Sequence, residues 1–309
     1  RGRGTMQGPV VTPGDARKNG VQTERKVKGP EKVNGRRAQP EVDDDYYKDI
    51  CVQAIKLEAG SKKTDTENII DVTGFMKPDG SFDWQAPEGE WVILRTGYTL
   101  TGHLWSKWFA YPGPPQADTY EGGDGYEIDY LSKAALDDHF NHLGKPLIEE
   151  ARKAGGKIDY FWSDSWECGK LTWTQDFPDQ FQKFRGYDLM TYLPVLAGYT
   201  IVDSIVSTRF LTDFDRTIQD CIAENFYGHF AELCHQNGMT MGSEACGHND
   251  IPPVYVVKNQ GRIVFTAGVY LVNDHHGSAD AYYQDRWERM NRNQTAKTTH
   301  VYRTREEMT

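Results

Sequence analysis

Gly155-Gly156-Lys157-Ile158-Asp159-Tyr160-Phe161-Trp162-Ser163-Asp164-Ser165-Trp166-Glu167 is the stretch whose reading sets the fold class. A helical pattern running to Ala154 is stopped by the glycine pair, a short strand follows, and the strand runs out onto carboxylates. The same order recurs downstream, where a helix ending at His235 is closed by Asn237-Gly238 and Met239-Thr240-Met241-Gly242-Ser243 leads to Glu244. Helix and strand units alternating in this way, with acids at the strand ends, predict an α/β fold, a partial (β/α)8 TIM-type barrel. In such a barrel the reactive groups gather at the C-terminal rim of the strands. A pair of acids on that rim is what cleavage of a glycosidic bond requires.

Outward from this core the chain divides into four stretches. Residues 1–40 are basic and rich in Gly, Pro and Lys without a sustained period, an irregular N-terminal segment or a piece of the barrel. Residues 41–110 carry short β-like runs, Ile50 to Ile55, Ile69 to Val72 and Trp91 to Leu94, separated by turn-rich text such as Pro87-Glu88-Gly89, as in an inserted β-sandwich-like module. Trp84 and Trp91 flank that last turn and read as a packed hairpin pair. Residues 111–252 form the barrel portion. Within it Ser132 caps a helix with apolar positions Leu136, Phe140, Leu143 and Leu147, and Pro146 kinks or divides it. Trp173 to Phe184 predicts another helix. Phe210, Phe214, Ile218, Ile222, Phe226, Phe230 and Leu233 make one buried stripe on a long helix from about Ser207 to His235. Residues 253–309 are a divergent segment in which Val254 to Val257 and Ile263 to Leu271 are candidate strands.

Composition bounds the function classes. The chain has 309 residues and a net charge of −10, with no basic stripe and no RNA-binding motif, which argues against a nucleic-acid partner. No apolar run reaches the length of a membrane span. The five cysteines are widely spaced, without a C-x-x-C pair, and read as free thiols. The chain opens on Arg1 with no signal-peptide core, as an internal piece of a longer protein would.

Glu167 stands between Trp162 and Trp166, where an aromatic wall lowers the local polarity and raises a carboxyl pKa, as suits a general acid. Asp164 can tune it. Glu244 sits among small residues, Gly242-Ser243-Glu244-Ala245-Cys246-Gly247, that leave room for a ligand, and His248 can orient a hydroxyl. Asp164, Trp166 and His248 are therefore the candidate substrate contacts around a catalytic pair, Glu167 and Glu244. Taken singly, each acid reads more simply as a solvated or Arg-paired rim group, and it is the repeated helix-to-strand order that moves the pair toward chemistry. Asp274-His275-His276 lacks a third metal ligand at a recognisable spacing, and Asp43-Asp44-Asp45 lacks the spacing of an EF-hand. No P-loop, Rossmann fingerprint or G-x-S-x-G elbow is present.

These residues resemble the α-L-rhamnosidases of glycoside hydrolase family 106. The text that carries the resemblance includes Val10-Val11-Thr12-Pro13, Asp45-Tyr46-Tyr47-Lys48-Asp49-Ile50, Trp91 to Thr99 and Asp129 to Ala135. It continues through Ser163 to Glu167, Arg185-Gly186-Tyr187-Asp188-Leu189, Tyr192 to Gly198, Glu224-Asn225-Phe226-Tyr227 and Gly242-Ser243-Glu244, and covers about residues 8–252. The resemblance implies a (β/α)8 barrel interrupted by β-rich modules, and calcium-assisted, inverting hydrolysis of terminal α-L-rhamnose from a carbohydrate substrate. It also implies a parent enzyme that is secreted or periplasmic. By this similarity Glu167 falls on the general acid and Glu244 on a second active-site carboxylate, with a further acid expected on a later strand. The calcium ligands are not identifiable from it. Two other readings stay open: a non-catalytic carbohydrate-binding fragment using Trp105, Trp108 and Tyr111, and a barrel glycosidase using the two acids as a retaining pair.

Overall fold

The structure is a computed structural model that describes residues 11–42, 46–101, 128–163 and 171–246, and the backbone of 264–266 and 269–273; side chains of 243–246 are likewise outside the description. The chain folds as two compact units. One comprises Arg1–Val11, Trp105–Lys170 and Gln219–Thr309, the other Thr12–Leu104 and Leu171–Ile218.

The second of these units is organised by a four-stranded antiparallel sheet. Its strands are β1 (Lys18–Arg36), β2 (Tyr47–Leu57), β4 (Ile69–Asp71) and β5 (Ser81–Leu100), in the order β1-β5-β2-β4, while β3 (Lys63–Thr64) lies outside it. Residues 18–36, expected to be irregular, are instead a long strand paired with β5 from Lys18↔Leu100 to Arg36↔Ser81. Their polarity hid this because β1 is an edge strand: Val27 and Val33 face the core while most of the remaining residues lie at the surface.

Pro87-Glu88-Gly89 is not a hairpin turn. The register steps from Gly29↔Gly89 to Glu31↔Ala86, so β5 passes through this stretch with one extra residue, a bulge. That extra residue restores the face parity of Trp84 and Trp91, seven positions apart. Their rings meet edge to face at 5.4 Å within a core that includes Val33, Val52, Phe82 and Ile93. The opposite face carries Ile55, Val92 and Leu94, which pack on Tyr199.

An ion pair pins the middle of the sheet. The Arg95 guanidinium donates to both oxygens of Asp49 at 2.7 and 2.8 Å and to the Arg37 carbonyl at 2.6 Å. The Tyr47 ring lies beneath the Arg95 guanidinium, and its hydroxyl donates to the same carboxylate.

In the first unit, Ser132 caps α1 (Lys133–His139) by accepting from the Ala135 amide at 3.3 Å, as the sequence predicts. A π turn at Phe140–Gly144 follows and runs directly into α2 (Lys145–Lys153), whose second residue, Pro146, has no N–H to give to the preceding turn. The π turn changes the buried row. Leu136, Phe140 and Ile148 are buried, whereas Leu143 and Leu147, expected in the core, are 45% and 49% exposed. A wider turn carries the inward face forward by four residues rather than three, so the row passes through Gly144 to Ile148. Gly155, at φ +77°, ends the helix ahead of β6 (Tyr160–Ser163).

Back in the sheet-based unit, α3 (Phe177–Arg185) starts later than its apolar pattern suggests. Trp173 makes an isolated bridge with Lys18, and Pro178 marks the true first turn. Phe177 and Phe181 pack on Phe214 and Phe210. A 3-10 segment, Met190–Ala197, leads to β7 (Thr200–Ile201), which pairs with β3 in parallel.

The long Phe-striped helix is α4 (Ser204–Cys221), a π turn at Ile222–Gly228 and α5 (His229–Gln236). All seven stripe residues are buried. Gly238, at φ +74°, then turns the chain into β8 (Thr240–Cys246).

With β9 (Val264–Thr266) and β10 (Val269–Asn273), the sheet of the first unit runs β6-β8-β10-β9. β6 and β8 are parallel, as the repeated helix-to-strand order implies, but β10 runs antiparallel to both β8 and β9. Two residues join β9 to β10, too few for a parallel crossover, so the described strands make an open mixed sheet rather than a closed parallel barrel.

Candidate active site

The parallel pair of β6 and β8 organises the site. Its register is Tyr160↔Thr240, Phe161↔Met241, Trp162↔Gly242 and Ser163↔Ser243, so the two strands reach their C-terminal ends side by side. Side chains alternate across the pair. One face belongs to the helices: Phe161 stacks on Phe230 of α5 and meets Phe140 edge to face, and Met241 is fully buried. The other carries Tyr160 and Trp162, which are 47% and 37% exposed.

Gly242 lies beneath the Trp162 ring. A Cβ there would stand 2.4 Å from the benzo edge of the indole, so only glycine leaves the ring its place. Sequence reasoning read Trp162 as part of an aromatic wall and missed this partner. The signal was the glycine inside an otherwise regular strand.

Glu244 lies in β8, one residue past the Ser163↔Ser243 pair, with its backbone opposite Leu271 of β10. Glu167, Asp164, Trp166 and His248 lie outside the described residues, as do Asp43-Asp44-Asp45, His275 and His276, and Trp105, Trp108 and Tyr111. The structure therefore joins the two strands that lead to the candidate carboxylates but describes neither carboxylate's contacts.

The helices behind these strands are tied by polar bonds. Asn225, buried in the π turn, donates to the Leu131 carbonyl at 2.7 Å. His229, at the start of α5, has Nε2 2.7 Å from Asp137 of α1 and Nδ1 3.1 Å from Glu232. The ring of Tyr130 meets Phe226 at 4.2 Å. His139 is 5% exposed, and burial pulls its imidazole down to about 4, with Nδ1 unpartnered among the described residues. Cys51, Cys221 and Cys234 are buried thiols, and burial pushes Cys51 up to about 12.

Among the described residues no three His, Cys, Asp or Glu side chains converge on a point where a metal could be held. No helix among them is long and apolar enough to cross a membrane.

The profile of the alpha-L-rhamnosidase family matches residues 44–306. The chain belongs to glycoside hydrolase family 106. The family match continues past residue 252, where the motif resemblance read from the sequence ends, and takes in β9 and β10. A relative named "Putative beta-glucuronidase" from Formosa agariphila is 33% identical over 267 residues, 77% of this chain and 22% of the relative. Among solved structures the family 106 chain resembles a rhamnosidase from Novosphingobium sp. PP1Y, with a TM-score of 0.65 and 19% identity over 78% of this chain and 38% of that one. At that identity the likeness speaks for the fold. The chain thus spans about a fifth of the curated relative and under two fifths of the solved one.

Proposed function

We propose that the protein is a glycoside hydrolase that removes terminal α-L-rhamnose from carbohydrate substrates. Glu167 protonates the leaving oxygen, and a second carboxylate, Glu244 or a later acid, activates water on the opposite face of the sugar. The observation that carries this reading is the in-register parallel pair of β6 and β8, which sets Ser163 beside Ser243. Neighbouring strands lie about 4.8 Å apart, and four residues of chain reach at most about 14 Å, so Glu167 is tethered within range of Glu244. The tether accommodates carboxyl separations of about 6.5–9.5 Å, as inversion needs, and also the shorter spacing of a retaining pair.

In the full-length protein we take β6 and β8 to be neighbouring strands of a (β/α)8 barrel. Calcium is part of the same proposal: as a hard cation it would take the sugar's vicinal hydroxyls as oxygen ligands. The name of the Formosa relative supports one rival, a glycosidase acting on β-glucuronides.

The test is hydrolysis of an aryl α-L-rhamnoside and an aryl β-D-glucuronide by the chain, with and without chelator, read by product release and by NMR of the released anomer. The rhamnoside should be cleaved with inversion, and Glu167→Gln should lower kcat by about 10²–10⁴. Cleavage of the glucuronide alone would replace the substrate assignment. Rhamnose binding without turnover, unchanged by Glu167→Gln, would make the chain a binding module.

A further inference from the structure

We infer that the edge strand β1 and the corner just past it are a docking surface for an acidic polysaccharide, one that repeats carboxylate or sulfate groups along its chain. The basic text of residues 1–40 shows no stripe when read as irregular chain, but as a strand Lys18–Arg36 sets its charges in a row. Arg25, Lys26, Lys28, Lys32 and Arg36 are exposed and Arg37 is half-buried, with only Glu24 and Glu31 opposing them on this stretch. At about 3.3 Å per residue the row runs for about 35 Å along the edge of the sheet. The chain as a whole carries −10, so the row is a local reversal of charge.

Few of these charges are neutralised within the protein. Lys32 meets Asp83 at 3.2 Å, and Arg25 reaches Glu31 only at 3.7 Å, both between exposed side chains. Lys26, Lys28, Arg36 and Arg37 have no carboxylate at ion-pair distance among the described residues. Glu90, the register partner of Lys28, accepts instead from the Gly60 amide, and Arg36 acts on Asp79 from beyond that distance.

Lysine on an edge strand also guards against pairing with another strand, but that role does not call for Arg37. Its backbone is fixed at the corner of the sheet, where the amide donates to the Gly80 carbonyl at 2.8 Å and the carbonyl accepts from Arg95. Its guanidinium donates to the Asn34 carbonyl at 2.9 Å, while Nε is buried with no acceptor among the described residues. Burial, and then the charge of Arg25, hold this guanidinium below its usual pKa. Two guanidiniums that repel each other gain from an acidic group placed beside both, and the planar fork of Arg takes such an oxyanion through two parallel bonds.

The shape of the row narrows the partner. A small anion spans two of these side chains, whereas a row of about 35 Å fits a chain that repeats its charge. Rows of Lys and Arg hold nucleic acids or acidic glycans such as heparin. β1 carries no aromatic residue on which bases could stack, and the chain belongs to a glycoside hydrolase family, so the glycan is favoured. The inference concerns the polymer that carries the scissile sugar, and does not depend on which terminal sugar is removed.

The experiment titrates the whole chain in a calorimeter with dextran, carboxymethyl-dextran and dextran sulfate, which share a backbone and differ in charge. Binding of either acidic polymer, with none of dextran, supports the inference, and the stronger one names the acid. Affinity should fall about tenfold between about 50 and about 200 mM salt. Lys26→Gln with Lys28→Gln, or Arg25→Gln alone, should weaken binding about three- to tenfold, with circular dichroism confirming the fold. Lys145→Gln with Lys153→Gln removes two charges from α2 in the other unit and should leave binding near the parent. The inference is overturned if dextran binds as well as the acidic polymers, or if the α2 pair weakens binding as much as the β1 pair. Tighter binding of a short DNA duplex would overturn the glycan assignment. A chain that binds the acidic polymers yet cleaves no rhamnoside would sink the rhamnoside reading and leave this one standing.

Discussion

Acid should weaken this protein through one buried ring. His139 is 5% exposed, its Nδ1 has no partner among the described residues, and burial lowers its pKa from 6.5 to about 4. The lowering comes first from burial and is reinforced by the neighbouring His142, while Asp138 opposes it. Between these two values the unfolded chain carries a proton that the folded chain refuses, so stability falls as pH falls. The loss begins just above pH 6.5 and reaches about 1.5 kcal/mol at pH 5.5 and about 2.5 kcal/mol at pH 4.5. It is complete, at about 3 kcal/mol, only below the folded value of about 4. Leu at this position removes the titration and keeps an apolar side chain in the site. Urea unfolding of the parent and of His139→Leu, followed by circular dichroism from pH 7.5 to 4.5, isolates the effect because every other titrating group is common to both. The variant should gain on the parent by about 2.5 kcal/mol across that range. Parallel pH profiles for the two proteins would refute the assignment.

Three further outcomes are expected. Asp49→Ala leaves the buried Arg95 guanidinium without its bidentate partner and should cost on the order of 2–3 kcal/mol in denaturant unfolding. Phe226→Ala empties a site that is 1% exposed and lined by Tyr130, Tyr227 and Phe230, and should cost about 3–5 kcal/mol by the same measurement. Ser132→Ala removes the cap of α1 and should cost about 1 kcal/mol, with faster amide exchange confined to the first turn of that helix.

Much of the framework around the candidate site was legible because it is written locally. The glycine stops at Gly155 and Gly238, the Ser132 cap, the seven-residue apolar stripe and the two strands leading to the acids all depend on neighbours within a turn or two. Each appears in the structure. Where pairing is remote, the reading failed. Lys18–Arg36 looks like a linker until β5 lies beside it, because an edge strand needs few apolar residues of its own. Pro87 and Gly89 look like a turn until the partner strand shows a one-residue bulge.

The sequence by itself determined the helix-to-strand order, the family and the candidate carboxylates, since periodicity, caps and motifs are properties of short stretches. Only the tertiary structure decided that residues 12–104 and 171–218 share one unit, that a π turn passes the inward row to Ile148 rather than Leu147, and that Trp162 stands over Gly242. Strand register is a contact between residues 80 apart. No local pattern encodes which glycine will lie beneath which ring, and that choice is made when the two strands pair.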